Sequence, residues 1–353
     1  MYLGLDIGRQ YVKMVAVDKT KDGYKILDAG ARLVPEPNTA YDPEKIDRPH
    51  WVMAVKELFR QQSLNPRKIK MVISGINGSS ASVKQITTMD MPTEELESAM
   101  TFEARKHIPM DGTDAVIDYQ IIGSNNKEVD KIDVCLVACT KGVIKSHLEL
   151  LKECGLKPGV VDMNPIAISN AVNFIKDMPD DGLAVVVDIG AVSSSLIVFG
   201  NNEEFFTRDL PIGGHDFVKE ISDKKQISYT EAQDLLYKEG ISALKEDDEV
   251  IGGAESVQVS ERTVYDNLVE DIRRSLRFYA KQTGQSFFLK IFLSGGSGAT
   301  PGLKEFINEK LNIESDLLNP FETLSLNDSI SVSNGPQYAV ALGLAIRGGM
   351  SDG

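Results

Sequence analysis

Apolar positions along the chain fall into two recurring patterns, and their alternation predicts the architecture. The first pattern is an apolar run, a short polar turn and a second apolar run. Residues 3–17 read Leu-Gly-Leu-Asp-Ile-Gly, three variable residues, then Val12-Lys13-Met14-Val15-Ala16-Val17. Residues 184–199 repeat it as Ala-Val-Val-Val-Asp188-Ile-Gly190, a serine-rich turn, then Leu196-Ile197-Val198-Phe199. Both have the grammar of a β-hairpin. Two copies half a chain apart predict two similar lobes, each opening with a hairpin.

The second pattern is helical and falls between further strands. Lys70–Ser74 predicts a short strand. Thr93 is placed to cap a helix over Glu94–His107, with Glu94 and Glu95 suiting its positive first turn and Pro109 just past its end. Strands follow at Val116–Ile122 and Ile132–Cys139, then a helix at Val143–Cys154 closed by Gly155. The second half predicts helices at His215–Ser222 and Thr230–Glu239, and a polar, acidic surface excursion over 240–262. Asp266–Gln282 is an amphipathic helix, with Leu268, Ile272, Leu276 and Tyr279 on one stripe. Strand Lys290–Ser294, a helix around Leu303–Lys310 and a mostly apolar helix over Gln337–Arg347 complete an α/β chain.

Bulk properties then narrow the function classes. With 353 residues the chain can hold two or more ordinary domains, and 42% hydrophobic with 25% charged residues is a globular composition. A net charge of −14 repels nucleic acid and anionic lipid, and no basic patch stands out, so neither is expected as a direct partner. The longest apolar stretches, Leu183–Val187 and Ala339–Ile346, fall far short of the roughly 20 residues that span a bilayer. Asp6 interrupts the N-terminal apolar run at once, unlike a secretory signal, so the expected compartment is the cytoplasm. Cys135 and Cys139 sit about 13 Å apart along one strand, too far for a bridge or a shared metal, and read as small core side chains. The four histidines form no ligand-spaced pair.

The hairpins carry the candidate chemistry. Asp6 and Asp188 end buried strands, where a carboxylate can face a cleft and hold Mg²⁺ through water. Gly8, Arg9, Gln10 and Tyr11 form the first turn, and Gly190, Ala191, Val192 and Ser193 the second. A glycine there lets the backbone approach a phosphate, and successive N–H groups can hold an anion. Lys13 can aim a cation at the same phosphates. A single Asp-x-Gly is equally well a plain turn; the matched pair is what favours phosphate binding. Gly295-Gly296-Ser297-Gly298, between strand and helix, suits backbone packed on a base or phosphate, or an ordinary tight turn. Gly213-Gly214, before a helix, leaves the same two readings open. Glu270, Arg273, Arg274 and Arg277 lie on one helical face, either solvated with an i,i+4 ion pair or as the wall of a cleft.

Taken in order, these pieces resemble the superfamily of actin, heat-shock chaperones and sugar kinases. The hairpins match its two phosphate motifs, and Leu293-Ser294-Gly295-Gly296-Ser297-Gly298-Ala299-Thr300-Pro301-Gly302 its adenosine motif. Asn164–Phe174 and Gln337–Arg347 lie where its two connecting helices belong. The resemblance implies an actin-like, two-lobed ATPase fold of duplicated ribonuclease H-like lobes, with ATP and Mg²⁺ as ligands. Glu270-Asp271-Ile272-Arg273-Arg274 looks like the chaperones' ribose and adenine helix, and Gly213, Gly214, Gln233 and Lys238 fall where adenosine contacts are expected.

A narrower resemblance rests on Met91-Pro92-Thr93-Glu94-Glu95-Leu96, Phe102-Glu103-Ala104-Arg105-Lys106-His107-Ile108-Pro109 and Val116-Ile117-Asp118-Tyr119-Gln120. These are similar to the inserted small domain of the PilM and FtsA families, and closest in pattern to PilM, as is Ile272-Arg273-Arg274-Ser275-Leu276-Arg277-Phe278-Tyr279. The implied layout is a first lobe of 1–84, 163–182 and 336–353, an insert of 85–162, and a second lobe of 183–213 and 290–335 carrying a subdomain of 214–289. The implied role is an ATP-binding scaffold of the type IV pilus machine, cytoplasmic and held at the inner membrane through its partners. It would grip the N-terminal cytoplasmic peptide of the membrane protein PilN in a groove between insert and first lobe, contact other inner-membrane and motor proteins, and leave self-association open.

Two departures matter. Asn164 precedes Pro165 where active ATPases often carry an acid, which points to slow hydrolysis or none. Ala232-Gln233 and Lys238 depart from the family's usual Ala-Glu and nearby lysine, leaving that wall open. The alternatives are an FtsA-like cell-division filament protein, disfavoured by the short polar tail Met350-Ser351-Asp352-Gly353, and a small-molecule kinase of the same superfamily.

Overall fold

In the computed structural model, which describes residues 1–21, 23–36, 39–77, 81–106, 115–176, 181–244, 262–322, 330 and 332–350, the first predicted hairpin is β1 (Tyr2–Ile7) and β2 (Tyr11–Thr20). β3 (Gly23–Leu33) extends it antiparallel to β2, and α1 (Arg48–Gln61) leads across to β4 (Met71–Ile76), parallel to β1. The chain then leaves this sheet for an insert of β5 (Ala81–Met89), α2 (Thr93–Ala104), β6 (Ala115–Ser124), β7 (Lys131–Thr140) and α3 (Lys141–Glu153). It returns as β8 (Pro158–Met163) and α4 (Asn164–Ile175). The second lobe repeats the plan. β9 (Leu183–Ile189), β10 (Ser194–Phe199) and β11 (Phe206–Leu210) form its meander. α5 (Gly214–Lys225), α6 (Tyr229–Glu239) and α7 (Val264–Thr283) lead to β12 (Phe288–Ser294), α8 (Leu303–Leu311) and β13 (Ser315–Leu317). α9 (Ala339–Met350) closes the described chain.

The duplication is literal. Among the described residues one five-stranded sheet runs β3-β2-β1-β4-β8 and the other β11-β10-β9-β12-β13. In each, the first two pairings are antiparallel and the last two parallel, as in the ribonuclease H-like lobe expected from the sequence. The insert has its own sheet, β5-β7-β6, with α2 packed on it through Leu96, Met100 and Ala104.

Placement differs from expectation in four respects. Residues 158–162, placed in the insert, belong to β8, which pairs with β4 in the first lobe, and β5 already begins at Ala81. Thr93 starts α2 rather than capping it: Pro92 holds the cap position in extended backbone and no side chain caps the helix. α2 ends at Ala104 with Arg105 and Lys106 in a turn, and the expected helix end at His107, with Pro109 just past it, lies outside the described residues. The excursion over 240–262 opens as a tight helical turn at Gly240–Leu244, and 245–261 lies outside the described residues, as do 351–353.

The core shows why the two connecting helices matter. α9 is apolar all round over Ala339–Ile346, so that stretch is buried all round between the two sheets, and Arg347 follows it. Each large aliphatic removed from water there contributes about 1.5–3 kcal/mol. Glycine sets the spacing: a Cβ on Gly343 would lie 1.7 Å from the Ala167 carbonyl oxygen of α4, and one on Gly4 would lie 1.9 Å from that of Ala341. Backbone therefore touches backbone where β1, α4 and α9 cross.

α3 fixes the insert to the first lobe. Arg48 at the start of α1 donates to Glu149, Glu153 and Ser146, and the His147 ring lies 2.8 Å from the buried Ser74 hydroxyl of β4. Burial pushes the His147 imidazole down to about 4 from 6.5, so it is neutral in the folded chain. A base with a depressed folded value contributes stability above its unfolded value, lost as pH falls through the interval below it. Acidification from pH 6.5 to 4 is therefore expected to cost on the order of 2 kcal/mol at this junction. The check is that His147→Asn loses less stability over that interval than the wild type, in denaturant titrations at each pH.

Candidate functional site

Both hairpin turns open onto one cleft of about 360 Å³ between the lobes. In the first, the β1–β2 register sets Asp6 opposite Lys13, and the ammonium lies 2.6 Å from the carboxylate. Gly8 N–H donates to the Tyr11 carbonyl at 3.1 Å, leaving Gly8, Arg9, Gln10 and Tyr11 on the cleft wall. In the second, Asp188 faces Ser195 across the ladder, and Gly190 N–H donates to the Ser193 carbonyl at 3.0 Å. The two turns are closed by equivalent hydrogen bonds, so Gly190, Ala191, Val192 and Ser193 line the opposite wall. Ser195 takes the place that Lys13 holds in the first hairpin, and the cationic arm belongs to one lobe alone.

Pairing brings the third glycine loop to the second turn. β12 lies parallel to β9, so Ser294 donates to the Asp188 carboxylate at 2.7 Å. Gly295 then turns with φ +83°, a conformation suited to glycine, and a Cβ there would lie 2.4 Å from the Ile189 carbonyl oxygen. Ser297 N–H donates to that same carbonyl at 3.1 Å. Gly214 and His215, opening α5, donate their N–H groups to the carbonyls of Gly190 and Ala191. A Cβ on Gly213 would strike the Val192–Ser193 backbone. Gly213, Gly214, Gly296, Ser297 and Gly298 therefore gather around the second turn, with Gly296 and Ser297 on the cleft lining itself.

Electrostatics define the floor. Burial, and with it the neighbouring Asp6 carboxylate, pushes the Asp188 carboxyl above its ordinary range, against the Ser294 hydrogen bond and the Lys13 charge. Two carboxylates and one lysine converge where hard oxygens would be needed. Asn164, first residue of α4, also lines the cleft; its Oδ1 is buried without a protein hydrogen-bond partner, 1.9 Å from where a Cβ on Gly75 would stand. Paired carboxylates with an orphaned amide oxygen fit a cation that keeps most of its water, as Mg²⁺ does. Among the described residues no three His, Cys, Asp or Glu side chains group as a full ligand set, so such an ion would depend on water and phosphate.

The remaining expected contacts divide. Gln233 on α6 donates to the Tyr237 hydroxyl at 3.2 Å, and Tyr237 is hydrogen-bonded to Tyr11 of the first turn, so this face of α6 stands at the mouth of the cleft. The turn after α6, with Lys238 two residues before it, meets the third loop's far end, where Ile241 N–H donates to Pro301. Glu270, Arg273 and Arg274 are not brought to the cleft. Arg273 donates to Glu270 at 2.6 Å and to the Lys310 carbonyl at 2.8 Å, at the opposite end of α8 from the glycine loop, and Arg274 leans on Glu270. A guanidinium at a helix C-terminus satisfies carbonyls that have no partner within the helix.

Several cleft residues carry no signal of their own in the sequence. Trp51, the single tryptophan, donates from Nε1 to the Gly8 carbonyl at 3.0 Å and lies beneath the Arg9 guanidinium, pinning the first turn. Its uniqueness was the one available hint. Gly75, Asn77 and Ser195 enter the lining through tertiary pairing alone.

Comparison with known proteins bears on the fold and the family. The solved PilM–PilN type IV pilus biogenesis complex matches with TM-score 0.79 at 24% identity, covering 98% of each chain. The ethanolamine utilization protein EutJ of Carboxydothermus hydrogenoformans matches with TM-score 0.52 at 14% identity, over 98% of this chain and 89% of that one. Cell division protein FtsA of Bacillus subtilis is 22% identical over 378 residues, 98% of this chain and 82% of FtsA. The fold is thus the actin-like ATPase fold. The model of the family described as type IV pilus assembly protein PilM matches residues 4–349. With that match spanning nearly all of its length, the chain belongs to the PilM family of type IV pilus assembly proteins.

Proposed function

We propose that this chain is a nucleotide-braced scaffold: it binds ATP with Mg²⁺ in the interlobe cleft and grips the N-terminal cytoplasmic peptide of PilN. The observation that carries the nucleotide half is the pair of equivalent turns facing one cleft with Asp6 and Asp188 at its floor. The N–H groups of the Arg9–Tyr11 and Ala191–Ser193 segments would hold phosphate oxygens, as concave runs of backbone amides do. Lys13 would turn from Asp6 to the phosphates, freeing Asp6 and Asp188 to hold water on the cation. Mg²⁺ would supply charge neutralisation there. Base and ribose would lie between α6, which carries Gln233 and Lys238, and the loops at Gly213–Gly214 and Gly295–Gly298. Asn164 lines the cleft where a carboxylate would be needed to take a proton from water, which an amide cannot do, so turnover is expected to be slow or absent.

The partner half is supported by the likeness to a PilM that was solved with PilN, over 98% of both chains. The peptide would lie between the insert and the first lobe, and membrane association would come through such partners. Among the described residues no helix is long and apolar enough to cross a membrane. Calorimetric titration with the N-terminal peptide of the cognate PilN, with and without Mg-ATP, tests this. Saturable binding of one peptide per chain is expected. Absence of binding in both conditions would contradict the partner assignment and favour the filament-forming role suggested by the FtsA likeness, to be sought by sedimentation and microscopy.

A further inference from the structure

The charged side chains lining the interlobe cleft, Asp6, Arg9, Lys13 and Asp188, are not equally committed. Lys13 is paired with Asp6 at 2.6 Å, and both are largely buried. Asp188 accepts from Ser294 at 2.7 Å. Arg9 is exposed and makes no ion pair among the described residues. Its guanidinium lies 5.5 Å from the centre of the Trp51 ring. Trp51 cannot drift, because it is half-buried on α1 and its Nε1 donates to the Gly8 carbonyl at 3.0 Å. The cation is thus parked on an indole at the edge of the first turn. Tyr41, within electrostatic reach of Arg9, meets the His215 ring edge-on at 5.7 Å. His215 opens α5 of the second lobe, so the parked guanidinium stands where the two lobes meet.

The second turn has no counterpart. Ala191 follows Gly190 as Arg9 follows Gly8, and Val192 and Ser193 add no charge. Lys13 must give up a buried ion pair to reach a phosphate, whereas Arg9 gives up only a stack on an exposed face. A guanidinium also offers two parallel N–H donors that match two oxygens of one phosphate group. Mg-ATP carries one more negative charge than Mg-ADP, at the end of a tail one phosphate longer. We propose that Arg9 is the specificity-determining residue that makes the cleft select a nucleoside triphosphate over a diphosphate. It leaves Trp51 to fork onto the terminal phosphate, and the single tryptophan of the chain reports the exchange. With a diphosphate, the turn N–H groups and Lys13 suffice and Arg9 stays on the indole. This deepens the nucleotide reading above and rests on it.

Calorimetry and intrinsic fluorescence of the full chain, titrated with Mg-ATP and with Mg-ADP, provide the test. The wild type binds Mg-ATP roughly tenfold or more tighter than Mg-ADP. Mg-ATP changes the Trp51 emission, and saturating Mg-ADP leaves it unchanged. Arg9→Gln binds both nucleotides with dissociation constants within about threefold of each other, and its emission ignores the third phosphate. Arg9→Lys, which keeps the charge without the fork, recovers only part of the preference. Equal wild-type affinities overturn the proposal, as does a preference that survives in Arg9→Gln or an emission change that both nucleotides produce alike. Equal loss of both nucleotides in Arg9→Gln also overturns it, because the side chain would then serve the turn and not the terminal phosphate. A wild type that binds neither nucleotide overturns the nucleotide reading itself.

Discussion

An Asp188→Asn chain is expected to melt at a higher temperature than the wild type without nucleotide, and to gain at most about half as much from Mg-ATP. Asp188 sits beside Asp6 at the cleft floor, and its carboxyl is held above the ordinary range by burial. A carboxyl with a raised folded value stabilises the fold while protonated, and that contribution is lost as pH rises from its unfolded value through its folded one. At neutral pH the wild type bears the cost of the buried charge, whereas asparagine keeps the Ser294 contact without it. The advantage of the variant should vanish below about pH 4, where the wild-type carboxyl is protonated in both states. With ATP at about 100 times its dissociation constant, the wild type should gain roughly 2.7 kcal/mol, or about 5–10 °C in melting temperature. Thermal scans of both proteins, at pH 7 and pH 4 and with and without Mg-ATP, check all four expectations. A variant that melts lower at neutral pH, or keeps the full wild-type nucleotide shift, contradicts the placement of the cation. Stability held back at a binding site is a common cost of function.

A second large effect is expected far from the floor. Gly343→Ala places a methyl group 1.7 Å from the Ala167 carbonyl oxygen, so α4 and α9 must separate along the seam that joins both sheets. Neither neighbour can rotate away, because the obstacle is backbone. Overpacking of this kind costs about 3 kcal/mol, equivalent to roughly 6–12 °C in melting temperature for a chain of this size. Gly142, the second residue of α3, is the control: nothing lies within 4 Å of a Cβ there, and Gly142→Ala should stabilise by about 0.5–1 kcal/mol. Urea titrations of the two variants measure the contrast. A Gly343→Ala chain as stable as wild type would mean that the helices are not in backbone contact.

What the sequence revealed and what it hid follow from the range of the interactions involved. The hairpins were legible because strand, Asp-Ile-Gly turn and returning strand are adjacent in the chain, and because the pattern occurs twice. The helices over 264–283 and 339–350 were legible from one apolar stripe and from a mostly apolar run, respectively. Residues assembled by pairing between distant strands were not. Ser294 reaches Asp188 only because β12 lies beside β9, and Trp51 reaches Gly8 only because α1 crosses the first hairpin. Residues 158–162 were left in the insert because no strand was read there, and only the pairing of β8 with β4 ties them to the first lobe. The charged stripe of α7 misled for the opposite reason: Glu270, Arg273 and Arg274 have the right spacing for a nucleotide wall, but spacing is silent on which neighbour they face. The Lys310 carbonyl at the end of α8 claims Arg273.

The central claim is that nucleotide lies between the two turns with both aspartates on its cation. Calorimetric titration of the wild type and of Asp188→Asn with Mg-ATP tests it most directly. The account predicts one saturable site per wild-type chain, and affinity reduced at least about tenfold in the variant, a difference of about 1.4 kcal/mol. Undiminished binding by the variant, or no binding by the wild type, would contradict it.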